Sequence, residues 1–255
     1  MGVAGGTGSP FRTKADVVAD LERRILEGEF VVGQRLPSER ELCTQYAVSR
    51  PVVRETLAGL VERGYLEVFA GRGSFVRAVA TDELSLSLTR VAARTGVTAR
   101  DLVVARVMLE CTSAELAAAN ATDEAVEHIL QTLREHDAAT GLADRARTDL
   151  AFHEAVAIAT GNPVIALMFG SIRTQVHALM LRSHSDRKVR RLGDPLHHRI
   201  ADAVRDHDPR AARTAMSEHV ELALTLYGKD LDRPLADVLA GRGLDASSPL
   251  RPAEG

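Results

Sequence analysis

The sequence predicts a mainly α-helical protein in two parts. A small head of helices with one β-hairpin comes first, and an all-α antiparallel bundle follows. Three observations carry this. Hydrophobic residues fill 45% of the 255 positions but aromatics only 4%, with no Trp, which suits an Ala/Leu/Val-rich helical core. One stretch, Leu36 to Arg77, passes from helical to strand-like patterning around turn glycines. From Asp82 to Tyr227 only helical periodicity is present, interrupted by short turn and cap sequences. The length allows two domains, each with its own core.

Residues 1–11 are Gly-rich and predict a flexible N-terminus. They lack the charged start and apolar centre of a signal peptide. An amphipathic helix follows over Lys14 to Glu29, with Val18, Leu21 and Ile25 on one face. Ser38 and Glu41 form a capping box for a helix reaching about Tyr46. Ala47-Val48 is the turn. Ser49 is placed to cap a second helix, Pro51 is tolerated in its first turn, and Gly64 stops it. Val53, Leu57 and Leu60 give that helix its apolar stripe, with Arg50 and Arg54 four apart on its flank. Tyr65 to Ala70 and Ser74 to Arg77 predict two short strands around Gly71-Arg72-Gly73.

This is the layout of a winged helix-turn-helix, whose second helix can enter a DNA major groove. The same shape occurs in proteins that bind no DNA, and helix arginines are commonly solvated. The net charge of −3 excludes a basic nucleic-acid coat. Specific binding therefore has to come from where the arginines sit.

The head motifs G-x-x-LPSER-x-L, VSR-x-x-VRE-x-L-x-x-L-x-x-x-G and GRGSFV resemble the DNA-binding domain of GntR-type bacterial transcription regulators. That resemblance implies DNA contacts from Arg40, Ser49, Arg50, Arg54 and Arg72. Pro51 and Val52 stand where relatives often carry a polar residue. The head is expected to span 12–78 and the linker 79–82.

Beyond it, helices are predicted over 82–94, 98–120, 122–140, 143–160, 162–182, 186–206 and 208–227. Short loops between long helices argue for an antiparallel bundle, and the absence of a fixed period argues against a solenoid. The bundle is expected over 83–228, with a flexible tail over 229–255. No apolar run is expected to approach the ~18–20 residues of a membrane span. Cys43 and Cys111 form no CxxC pair and are expected reduced, as in a cytoplasmic protein.

All nine histidines lie beyond residue 120. Asp149 and His153 are four apart, so they share a helix face. With His197 and His219 from two later helices they can converge as a site for Zn²⁺, Ni²⁺ or Mn²⁺. The plain alternative is surface use, which His128, His136, His177, His184, His198 and His207 are expected to illustrate.

The motifs R-x-x-LE at Arg106 to Glu110, D-L-A-F-H at 149–153, G-N-P at 161–163 and the run from His197 to Met216-x-x-His219 resemble the FadR-type C-terminal effector domain, or FCD. The resemblance covers about 12–227. It implies a divalent metal on Asp149, His153, His197 and His219, with His197 rather than His198 in register. It also implies an organic acid effector whose carboxylate meets Arg106. Asn162 is expected to cap the helix starting at Pro163, and Arg106 has Glu110 as a rival partner. The expected protein is a homodimeric, effector-responsive regulator, a repressor on a pseudo-palindromic operator in double-stranded DNA. The alternatives are a metal sensor and a metal-dependent hydrolase or lyase with a DNA-binding head. For the enzyme, the sequence marks no unassigned carboxylate beside those ligands as a general base.

Overall fold

The computed structural model describes residues 13–77 and 81–244, with backbone alone for 81–83. The N-terminal residues 1–11 expected to be flexible, the expected linker residues 79–80 and the tail residues 245–255 lie outside the described residues. Two compact units form, over 1–80 and 81–255.

The head begins with α1, Lys14–Leu26, which Thr13 and Asp16 start with a capping box. The Ser38–Glu41 box starts α2, Glu39–Tyr46. Ala47 ends α2 in the left-handed region at φ 53°, a conformation that disfavours a Cβ. Next come α3, Arg50–Glu62, and an antiparallel hairpin of β1, Leu66–Phe69, and β2, Gly73–Val76. Val17, Leu21, Leu42, Tyr46, Val53, Leu60, Leu66 and Val76 close the core.

Two local expectations change. Ser49 takes the N-cap position of α3, but its hydroxyl makes no capping bond. Gly73 pairs with Phe69 inside the ladder, so the turn is residues 70–72. Gly73 has φ 108°, and a Cβ there would meet Nε of Arg35 at 2.9 Å. The close approach arises because residues 33–36 run beside β2: Leu36 N donates to Ser74 O and Val76 N to Gln34 O.

Tyr46 ties α2 to α1. Its ring is fully buried. The hydroxyl donates to Asp20 at 2.8 Å and accepts from Arg24 at 3.0 Å. Burial, then Asp20, push its pKa up to about 12. Tyr46→Phe is expected to cost about 1–2 kcal/mol at neutral pH. Because the folded pKa is raised above the ordinary value of 10, the phenol's contribution is complete below pH 10 and lost as pH rises to about 12. Urea unfolding of both proteins at pH 7 and pH 11.5 checks this: the gap between them should narrow at the higher pH.

The second unit holds α4, Thr81–Thr95; α5, Ala99–Asn120; α6, Asp123–Ala138; α7, Leu142–Ala159; α8, Pro163–His184; α9, Arg187–Arg205; and α10, Pro209–Leu226. Asn162 caps α8, its Oδ1 accepting from Val164 N at 3.0 Å. α5 packs on α10 and α7, α9 on α10, α6 on α7, and α8 on α7 and α4. The shared core includes Val103, Ala114, Phe152, Val156, Phe169, Leu179, Ile200 and Met216.

The tail expectation is corrected over 229–244. A 3₁₀ turn at Gly228–Asp230 and a helix α11, Leu235–Ala240, bury Leu231, Leu235, Val238 and Leu239. Leu235 N donates to Val97 O, and Arg100 N to Leu231 O. Asp230 accepts from Arg182 at 3.0 Å and from Arg242 at 2.6 Å. The Pro and Gly residues that suggested a loose tail are the punctuation of this packed segment.

A second correction concerns α8. It has 22 residues and a mean hydropathy of 1.4, enough by length and composition to cross a membrane. In the fold that apolarity is spent on the core, where Phe169, Val176, Leu179 and Met180 are buried.

Candidate functional site

Three long helices bring one constellation together. Asp149 and His153 lie one turn apart on α7, His197 projects from α9 and His219 from α10. Asp149, His153 and His197 are buried and His219 is half-buried. Their donor atoms all lie within 4.8 Å of one another. Asp149 Oδ1 stands 3.0 Å from His197 Nε2 and 3.2 Å from His153 Nε2. His153 Nε2 is 3.2 Å from His219 Nε2. Two ligands on one ion with bonds of ~2.1 Å lie about 3.0–3.4 Å apart at octahedral or tetrahedral angles. The donor set and spacing therefore fit a divalent ion.

The electrostatics agree with that chemistry at Asp149, His197 and His219. Burial alone would raise Asp149, but His197, His153 and His184 hold it well below the usual carboxylate range. Burial pushes His219 well below the usual imidazole value and also lowers His197, so both keep the neutral form a metal needs. For His153 burial also pulls down, but Glu110 and Asp149 outweigh it.

Around the four lies a set of supporting groups from other helices. His184 of α8 reaches Asp149 Oδ2 at 2.8 Å. Glu110 of α5 places Oε2 2.6 Å from His153 Nδ1. Arg106 donates to Glu110 through Nε at 2.6 Å and a terminal nitrogen at 3.1 Å. His136 Nδ1 meets Thr148 Oγ1 at 3.1 Å, and its Nε2 lies 3.8 Å from Asp194. A cavity of about 30 Å³, lined in part by Arg106, Asp149, His184, Asp194, His197 and His219, borders the constellation.

Sequence reasoning missed part of this. His136, His177 and His184 are 1%, 5% and 5% exposed, so they are interior residues and not surface ones. A carboxylate does stand beside the ligands, Glu110, although Arg106 engages it. No local spacing links His184 to Asp149 or Glu110 to His153; only helix packing does. The i, i+4 spacing of Arg106 and Glu110 was the one available signal, and the pair forms. Arg106 also faces the cavity, so pairing and cavity position coexist. His198 stays 50% exposed and meets Asp137 instead.

On the head, Arg40, Ser49, Arg50, Arg54 and Arg72 are all exposed. Arg54 donates through Nε to both oxygens of Glu39, at 3.0 and 3.1 Å, which ties α3 to the start of α2. Arg72, in the turn of the hairpin, sits 5.3 Å from the Phe69 ring and 5.8 Å from the Phe75 ring. Ser49 has a hydroxyl free of capping at the N-terminus of α3, where backbone N–H groups favour a phosphate.

A helix-turn-helix head with a hairpin wing, followed by a helical domain enclosing an Asp/His₃ cluster, is the architecture of a DNA-binding regulator. The comparisons agree. Residues 13–76 match the family of bacterial regulatory proteins of the gntR type, and residues 101–222 match the FCD domain. The Glc operon transcriptional activator of Escherichia coli K12 is 34% identical over 224 residues, covering 82% of this chain and 87% of its own. The HTH-type transcriptional repressor NanR of Enterobacter sp. 638 is 33% identical over 219 residues, covering 80% and 81%. A solved structure, Streptococcus agalactiae GntR, superposes with a TM-score of 0.66 at 29% identity, covering 81% of this chain and 96% of that one. The chain belongs to the GntR family: it is a DNA-binding transcription regulator with an FCD effector domain, and not an enzyme.

Proposed function

We propose that this regulator acts in the cytoplasm as a homodimer on a pseudo-palindromic operator and represses from it. A small organic acid, bound beside a divalent ion, releases the DNA. The observation that supports this most is the shared cavity of Asp149, His197, His219 and Arg106. Asp149, His153, His197 and His219 would hold Zn²⁺, Ni²⁺ or Mn²⁺. An ion there supplies a Lewis-acid partner for a carboxylate, and Arg106 offers the guanidinium. Dimerisation rests on contact number, since one small head makes too few contacts for specific affinity. Arg40, Ser49, Arg50, Arg54 and Arg72 would carry the DNA contacts. The effector acts only through its different affinity for the DNA-bound and released arrangements.

A second reading, in which the ion itself is the signal, draws on the cavity size. About 30 Å³ holds an ion and a water, so an acid requires wall residues such as Arg190 and Leu222 to move.

One experiment separates these. Operator affinity is measured with the metal-free protein, with Zn²⁺ alone, and with Zn²⁺ plus a panel of small hydroxy and keto acids. Release only in the acid arm supports the first reading; full release by Zn²⁺ alone supports the second. A complex of one chain per operator would remove the dimer, and a reporter more active with the protein than without it would reverse the sign. In the same assay Arg54→Ala is expected to cost about 1–3 kcal/mol on the operator and little on scrambled duplex. Equal loss on both would make Arg54 a phosphate contact.

A further inference from the structure

Glu110 is 1% exposed and sits between two groups of the site. On one side Arg106 grips both its oxygens. On the other, its Oε2 lies 2.6 Å from His153 Nδ1, close in distance although short of full hydrogen-bond alignment. We propose that Glu110 is a positioning residue for the metal centre, holding the His153 ring so that Nε2 faces the ion. This rests on the reading of Asp149, His153, His197 and His219 as metal ligands.

The argument is one of tautomers. His153 Nε2 stands 3.2 Å from Asp149 Oδ1 and 3.2 Å from His219 Nε2, inside the donor cluster. To bind an ion Nε2 must present a lone pair, so the ring proton belongs on Nδ1. A buried N–H requires an acceptor, and Glu110 is the carboxylate beside it. A carboxylate behind a ligating imidazole fixes the ring's orientation and raises its basicity. By strict hydrogen-bond geometry none of His153, His197 and His219 has an Nδ1 partner among the described residues, but of the three only His153 has a carboxylate recorded within ion-pair distance of that atom, Glu110. Orientation of the His set thus depends most on Glu110, as that of Asp149 depends on His184. Arg106 in turn holds the Glu110 carboxylate in place through both of its oxygens.

The competing role is simple neutralisation of Arg106, and two variants of the full chain separate the two. Arg106→Met with Glu110→Leu replaces the ion pair by apolar groups of similar volume, an exchange that commonly preserves folding. Glu110→Gln keeps an acceptor oxygen but loses the charge. Zn²⁺ affinity is read by chelator competition, and ligand geometry by the visible absorption of bound Co²⁺. The double variant is expected to bind Zn²⁺ up to about 100-fold more weakly with a shifted Co²⁺ spectrum, and Glu110→Gln about 10-fold more weakly. Wild-type affinity and spectrum in a folded double variant would overturn the proposal and leave the metal reading standing. If the double variant does not fold, Glu110→Gln decides alone: an unchanged Zn²⁺ dissociation constant overturns it. If the wild-type chain takes up neither Zn²⁺ nor Co²⁺, the metal reading itself fails and this inference with it.

Discussion

His197→Ala combined with His219→Ala is expected to take the protein from about one divalent ion per chain to none. Two of the four donors disappear, and the pair left behind, Asp149 and His153 on one helix turn, is too sparse for a tight site. His198→Ala should leave the ion in place, because His198 lies at the surface against Asp137. The thermodynamic contrast is large. With free ion at about 1,000 times its dissociation constant, a bound ion stabilises the native state by about 4 kcal/mol. The wild-type melting temperature should therefore rise with added Zn²⁺ while that of the double variant stays flat. Elemental analysis after chelator-free purification, followed by melting curves with and without Zn²⁺, checks both parts. Retention of a full equivalent by the double variant would remove His197 and His219 from the site.

Asp230→Ala is expected to destabilise the helical domain by about 3–5 kcal/mol, since it leaves buried charge uncompensated. Asp230 is 6% exposed and accepts from Arg182, which is 2% exposed, and from Arg242. Arg182 also lies 4.1 Å from the centre of the Tyr227 ring, whose hydroxyl donates to Leu179 O at 3.1 Å. Without the carboxylate, the Arg182 guanidinium keeps the ring and only the longer, partly solvated ion pair to Asp186 at 3.9 Å. A melting temperature lower by roughly 6–20 °C follows for a domain of this size. Arg242→Ala should cost much less, because Arg242 is partly in solvent and Arg182 would still neutralise Asp230. A loss under 1 kcal/mol for Asp230→Ala would mean that residues 228–244 are not held to α8 by this cluster.

The fold was legible because its elements announce themselves locally. The Ser38–Glu41 capping box, the Val53, Leu57, Leu60 stripe and the Gly161-Asn162-Pro163 break all act within a few residues. Helix boundaries read from them fall close to the observed ones. Errors arose where local signs carry two meanings. Pro234 and Gly241 read as looseness, yet here they bracket α11. The long apolar α8 suits either lipid or a protein core, and only its packing partners choose between them.

The sequence by itself determined the helices, the hairpin wing and the residue types able to bind a metal or a phosphate. The i, i+4 pairs Asp149–His153 and Arg106–Glu110 also followed from it, because helix geometry fixes spacing without reference to the rest of the chain. Only the tertiary structure decided that Glu110 backs His153, that His184 holds Asp149, and that Arg182 and Asp230 close over the end of the chain. Those partners are 43, 35 and 48 residues apart in sequence. No periodicity spans such distances. They meet because α5, α7, α8 and α10 each bury an apolar face in one core, and that packing sets which polar side chains are enclosed together and must satisfy one another.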